Sequence, residues 1–189
     1  NTLRSGYQLK NAEGILEYRF NGWRVQPVLG RNQPEVITQT NPRQSVITKN
    51  ANHIRVASFN VLNYDNGATG FPTERGATTQ AEFDKQHRKI VSALKAIDAD
   101  VYGLMEIANN GYGPNSAIAH LTSALGSDWK YVVPENLDRL GGDAIAVAII
   151  YNSKRVKPLN KPVVLDLGDK NRTTLAQSFQ AVRGNKTFT

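Results

Sequence analysis

Two polar residues stand where apolar runs end: Asn60 follows Val56-Ala-Ser-Phe59, and Glu106 follows Val101-Tyr-Gly-Leu-Met105. Side chains at the carboxyl ends of strands point into the crevice where open α/β sheets bind ligands. A carboxylate after such a run is costly to bury alone, so Glu106 calls for a cation or several donors. An acid beside an amide oxygen is hard-donor chemistry. It suits Mg²⁺, which takes one or two carboxylates and otherwise keeps water and phosphate. The bland alternative makes Glu106 a loop cap and ties Asn60 to backbone in a turn.

Other reactive types are scarce. The chain has no cysteine, which removes thiol nucleophiles, zinc thiolates and disulfides. His53 precedes the first of these strands, while His87 and His120 fall inside helical patterns, where packing or solvent-facing roles prevail. Lysine and arginine outnumber acids 23 to 16 over 189 residues, giving a formal charge of +7. That excess favours a polyanionic partner or an anionic surface. Lys154, Arg155, Lys157, Lys161, Lys170, Arg172, Arg183 and Lys186 crowd the last third. They read either as sequence-independent phosphate contacts or as a solvated face. No helix-turn-helix, zinc finger or aromatic RNA-binding stretch is present, which argues against sequence-specific readout. No apolar run approaches the roughly 20 residues that span a bilayer, so no membrane partner is expected.

The elements that must position these residues follow from periodicity. Gly14–Phe20 and Trp23–Val28 alternate bulky and polar residues around Asn21-Gly22, predicting a hairpin over a region 1–30. Residues 31–52, polar and broken by Pro34 and Pro42, read as a linker or wrapping arm. From His53 a strand, Ile54–Leu62, runs into a loop rich in Asn, Gly and Thr. Thr79-Gln-Ala-Glu82 then forms a capping box, and Phe83, Ile90, Val91, Leu94 and Ile97 recur at helical spacing. Asp98-Ala-Asp100 ends that helix before the strand Val101–Ile107, a right-handed crossover unit by default. A second helix is predicted from about Asn115 to Leu125, closed by Gly126. Strands are predicted at Trp129–Val133, Ala144–Tyr151, Val163–Leu167 and Leu175–Val182, with Lys186–Thr189 opening another.

Two segments carry a family likeness. Ala57-Ser-Phe-Asn-Val-Leu-Asn63 resembles the first motif of the endonuclease/exonuclease/phosphatase superfamily, and Asp98-Ala-Asp-Val-Tyr-Gly-Leu-Met-Glu-Ile107 resembles its second. Arg75-Gly-Ala-Thr-Thr-Gln-Ala-Glu-Phe-Asp84 and Met105-Glu-Ile-Ala-Asn-Asn-Gly-Tyr-Gly113 are similar to the bacterial extracellular nuclease branch, which often has an acid where Ala108 stands. The resemblance covers 53–189 well. The hairpin is loosely similar to the end of an OB-like module that precedes the catalytic domain in these nucleases.

This resemblance implies a fold and a set of roles. The fold is α/β: a partial two-layer mixed β-sandwich flanked by helices, deoxyribonuclease-I-like, supplying the first half of the domain. Glu106 would bind the metal directly, with Asn60 as co-ligand or as orienter of phosphate and water. Asp143, in Gly141-Gly-Asp143, would orient the general base, or else simply cap its turn. Arg172 and Asn109 would contact substrate, though Thr173-Thr174 departs from the family's usual proline and Arg172 reads equally as a surface residue. Mg²⁺ is the implied cofactor, with Mn²⁺ or Ca²⁺ able to substitute or assist. The implied reaction is hydrolysis of phosphodiester bonds in DNA, with RNA also open. The family's base is a histidine expected after Phe188, so the partner that completes the site is the C-terminal half of the same polypeptide. An extracellular location, with its signal upstream, is implied as well. Two alternatives keep the fold: a phosphatase or phospholipid phosphodiesterase, and a non-catalytic DNA-binding module.

Overall fold

A computed structural model of the chain describes residues 5–28, 35–37, 48–168 and 172–189. It forms two compact units, Asn1–Val46 and Ile47–Thr189.

The first unit contains β1 (Gln8–Lys10), β2 (Gly14–Arg19), β3 (Gly22–Pro27) and β4 (Glu35–Ile37). Antiparallel pairing joins β2 to β3 and β1 to β4. The expected hairpin is present, but its turn lies one residue earlier than Asn21-Gly22. Arg19 pairs with Gly22, so the two-residue loop is Phe20-Asn21, with φ of 51° and 58°. Positive φ at both loop residues is the hairpin geometry that matches strand twist. Asn21 also accepts a 2.6 Å hydrogen bond from the Tyr18 hydroxyl, which holds the turn in place of a second glycine. The stretch read as a linker over 31–52 contributes β4; its residues 31–34 and 38–47 lie outside the described residues.

The second unit is mixed α/β. It runs β5 (Val56–Tyr64), α1 (Gln80–Ile97), β6 (Val101–Ala108), α2 (Ala117–Leu125), β7 (Trp129–Tyr131), β8 (Ile145–Asn152), β9 (Val156–Leu165), β10 (Thr174–Ala181) and β11 (Thr187–Phe188). One sheet has the order β5-β6-β8-β7, with β5 and β6 parallel as a crossover requires; the other is β11-β10-β9 and antiparallel. Period-two alternation sends successive side chains to opposite faces. Tyr102, Leu104 and Ile150 pack with Phe83 and Leu94 of α1 and Leu121 of α2. Val101 and Ala146 pack with Val156, Leu175 and Phe179 of the second sheet. The first sheet is thus covered by helices on one face and by strands on the other.

Two caps set the helices. Thr79 accepts from the Glu82 amide at 3.3 Å, while Glu82 reaches back to the Thr78 amide at 2.9 Å. The capping box therefore closes one residue upstream of its usual reciprocal partner. At the other end Asp98 turns left-handed, with φ of 52°, and donates its amide to Leu94. The next acid, Asp100, is buried and receives Lys49 Nζ at 2.8 Å, the Arg55 amide at 2.9 Å and Arg155 Nε at 3.0 Å. Burial pushes its carboxyl up, but these donors outweigh that effect and hold it below the usual range.

Most predicted elements fall within a residue or two of their expected bounds. The exception is β9, which begins at Val156 rather than Val163. The strand runs through Pro158 and Pro162, which is tolerated because β9 is an edge strand of its sheet.

Candidate active site

The crossover unit delivers Asn60 and Glu106 to the same sheet edge. Asn60 is the register partner of Met105, so Glu106 stands one residue further along the neighbouring strand. Ala57 and Phe59 pack towards the helices, which turns Asn60 towards the opposite face, shared with Met105. Pairing of β6 with β8 then slips: Leu104 faces Ala148 and Ile107 faces Ala146, leaving Met105 and Glu106 opposite Val147 alone. This is a β-bulge, and Glu106 within it has a φ of 63°. Left-handed backbone is unfavourable for a side chain with a Cβ, and a bulge of this kind re-aims the residue it contains.

Glu106 is re-aimed into a cleft of about 700 Å³, lined also by Met105, Leu140, Asp143, Asp166 and Arg172. Its carboxylate is half-buried, and among the described residues no hydrogen bond or ion pair reaches it. Asn60 is exposed, and its Oδ1 accepts the Leu62 amide at 2.7 Å. The turn expected as the bland alternative is therefore present. It engages the oxygen and leaves the Nδ2 donors without a partner among the described residues, and Asn60 is not among the residues that line the cleft.

The far wall is built by Asn109. Its Oδ1 accepts the Leu140 amide at 2.9 Å, and its Nδ2 donates to the carbonyls of Leu140 (2.9 Å), Gly141 (3.2 Å) and Asp143 (2.9 Å). The expectation that Asn109 contacts substrate gives way to a positioning role, because its side-chain donors are already used by the loop. Gly141 is required here: with φ of 70°, a Cβ would approach Thr173 Oγ1 to 2.6 Å.

Asp143 lies at the end of that loop. Its Oδ1 accepts the Ile145 amide at 3.3 Å and meets Arg75 NH1 at 3.2 Å; its Oδ2 meets Arg172 Nε at 3.4 Å. The Ile145 amide is the largest influence and, joined by the Arg75 and Arg172 guanidiniums and the Ala144 amide, holds its carboxyl below the usual carboxylate range, against an effect of burial that exceeds either guanidinium's. Arg75 was visible in the sequence only as part of a motif. Its place beside Asp143 depends on the fold of the β5–α1 loop, which spacing does not encode.

Several expected candidates lie elsewhere. Arg155 of the basic set is engaged by the protein itself. It binds buried Asp100 and the carbonyls of Ala51 and His53 at 3.0 Å each. Lys154 pairs with Asp128 and Lys161 with Glu135, while Lys170 lies outside the described residues. His87 and His120 both meet the Tyr64 hydroxyl, at 2.7 and 2.8 Å, in the cluster on the helix side of the sheet, away from the cleft.

No group of three His, Asp or Glu residues with metal-binding spacing occurs among the described residues. The cleft nonetheless fits a hard cation that keeps most of its water. Among the described residues its acids Glu106, Asp143 and Asp166 outnumber the arginines Arg75 and Arg172, and Glu106 has no counter-charge of its own. An oxygen-only donor set of carboxylates suits Mg²⁺ better than zinc or copper. The chain matches no family model and no curated protein.

Proposed function

We propose that this chain builds the cation- and phosphate-binding part of a nuclease site of the endonuclease/exonuclease/phosphatase kind, on a deoxyribonuclease-I-like sandwich, acting on DNA phosphodiesters. One observation carries the reading: a Glu106 carboxylate with no partner among the described residues, aimed by a strained bulge into a cleft that Arg172 also lines. Strain at a functional residue is retained when the surrounding structure over-determines it, as strands β5, β6 and β8 do here.

When bound, Mg²⁺ would neutralise charge building on a non-bridging phosphate oxygen. Glu106 would hold the cation through its carboxylate. Arg172 binds the phosphate through the guanidinium donors that Asp143 leaves open, and its planar fork suits two phosphate oxygens. Asn60, with its oxygen fixed by Leu62, offers Nδ2 protons to a phosphate oxygen or to a water molecule. Among the described residues no histidine faces the cleft, so the residues assigned here bind and orient without accepting the proton of an attacking water. The two-sheet architecture, the formal charge of +7 and the motifs around Asn60 and Glu106 support the same reading. Secretion is proposed on the family resemblance alone.

The test is Mn²⁺ titration of ¹⁵N-labelled chain, followed by paramagnetic broadening of amide signals. Broadening centred on Met105 to Ile107 and Asn60, abolished in Glu106→Gln, is expected. Broadening elsewhere, or unchanged in the variant, rejects the site. Retention on a DNA column but not on an inositol phosphate resin separates the nuclease reading from the phosphatase and phospholipid alternatives.

A further inference from the structure

Asp143 faces two guanidiniums and can neutralise only one. We infer that Arg75 and Arg172 form a two-arginine phosphate clamp with Asp143 as its fixed post, Arg172 taking the phosphate in the cleft and Arg75 the phosphate next to it along the strand. This rests on the nuclease reading of the same cleft and deepens it: the preferred ligand is an oligonucleotide with at least two phosphates, not a lone phosphate ester.

The geometry supports this in three ways. First, neither contact to Asp143 is close: NH1 of Arg75 stands at 3.2 Å and Nε of Arg172 at 3.4 Å. An arginine carries five N–H donors, and among the described residues no other hydrogen bond or ion pair engages either guanidinium; both side chains are 45 % exposed. A carboxylate serving purely as a salt-bridge partner would more typically be gripped at about 2.8 Å. Second, the post is immobilised. The Asp143 side chain accepts the Ile145 amide, and its carbonyl accepts Asn109 Nδ2. Third, Arg75 is presented by a built turn and not by a loose loop. Thr73 donates both its amide and its hydroxyl to the Ala77 carbonyl at 3.0 Å, and the Gly76 amide donates to Thr73 Oγ1 at 3.0 Å. Gly76 seats this turn closely, since a Cβ there would meet the Asn63 carbonyl at 2.5 Å. Arg172 lines the cleft, whereas Arg75 reaches Asp143 from beside it. The two arginines therefore address neighbouring positions and not one shared anion. In this arrangement Asp143 orients arginines, not a base.

The experiment measures binding of two probes to the full 189-residue chain, a thymidine dinucleotide with one internucleotide phosphate and a trinucleotide with two. Arg172→Gln should weaken both about tenfold, whereas Arg75→Gln should weaken the trinucleotide about tenfold and leave the dinucleotide unchanged. Each variant should lower the salt slope of trinucleotide binding by about 0.7, the value for one single-strand phosphate contact, and Arg75→Lys should restore the slope. Equal weakening of both probes by Arg75→Gln, or no change in either, overturns the clamp. A trinucleotide salt slope left unaltered by Arg75→Gln overturns it too, as does one that Arg75→Lys fails to restore. Urea midpoints of each variant show whether the fold is intact. Mn²⁺ broadening at Glu106 is scored separately: its absence with an intact clamp sinks the nuclease reading alone, and its presence with no effect at Arg75 sinks the clamp alone.

Discussion

Asn109 Nδ2 lies 2.9 Å from the Asp143 carbonyl oxygen, and this one amide joins the end of β6 to the loop that carries the arginine post. Because the same side chain also serves Leu140 and Gly141, Asn109→Ala strands several partly buried backbone groups at once. With two Nδ2 protons and one accepted bond at about 1 kcal/mol per net hydrogen bond, the expected loss is about 3 kcal/mol, read as a lower urea midpoint with an unchanged slope. Amide exchange at Gly141 and Gly142 should quicken while that of Leu104 does not. Nucleotide affinity should fall with Mn²⁺ binding retained, because Glu106 is held by β5 and β8 and not by this loop.

Asp100 makes a different prediction, about acid. Its folded pKa lies below the unfolded value of about 3.9, so the unfolded chain binds the proton more readily. The stability it contributes is complete above that value and is lost as pH falls through the lower folded pKa. Asp100→Asn should cost about 3 kcal/mol at neutral pH, since Lys49 and Arg155 lose their shared partner in a buried setting. It should also flatten the stability profile below pH ~4. A variant profile as steep as the wild type would show that another carboxylate governs acid unfolding.

Much of this was legible in the sequence, and the gaps have physical causes. The helices, the crossover and the positions of Asn60 and Glu106 follow from apolar spacing and strand ends, which are local signals. The bulge at Glu106 is not local: it exists because two residues of β6 face one of β8, and no pattern within β6 announces it. Arg155 illustrates the same limit. In sequence it belongs to a basic cluster, yet it anchors Asp100, 55 residues away. The turn at Phe20-Asn21 was misplaced by one because Asn21-Gly22 is the stronger local signal, while cross-strand register decided the outcome.

The two helical histidines give a third prediction. Burial first, then the charge of His120, hold His87 below the ordinary imidazole value, with Asp84 opposing and Arg88 adding to the shift. A depressed folded pKa means the unfolded chain takes the proton first, so this group's contribution is present above pH ~6.5 and is lost as pH falls below it. The Tyr64 hydroxyl, buried and pushed up, has one proton for two imidazole nitrogens, so one histidine must donate to it. His120→Ala removes the charge and opens the packing, and both changes should raise the His87 titration midpoint measured by NMR. A midpoint that stays or falls would show that the two rings do not interact as their 4.8 Å separation implies.

The last prediction concerns the bulge itself and separates strain from chemistry. Glu106 holds a φ of 63°, a conformation that suits glycine and disfavours any residue with a Cβ. Glu106→Ala and Glu106→Gly both remove the carboxylate, yet only glycine relieves the backbone. Glu106→Gly should therefore be more stable than Glu106→Ala by about 1 kcal/mol, a reversal of the usual order for a strand residue. Neither should bind Mn²⁺, and Glu106→Gln, which preserves shape and removes charge, should fail in the same way. Urea unfolding of the three variants, alongside the Mn²⁺ titration, checks both halves. If alanine proves as stable as glycine, the bulge is not strained; if Glu106→Gln still binds the ion, the carboxylate is not its ligand.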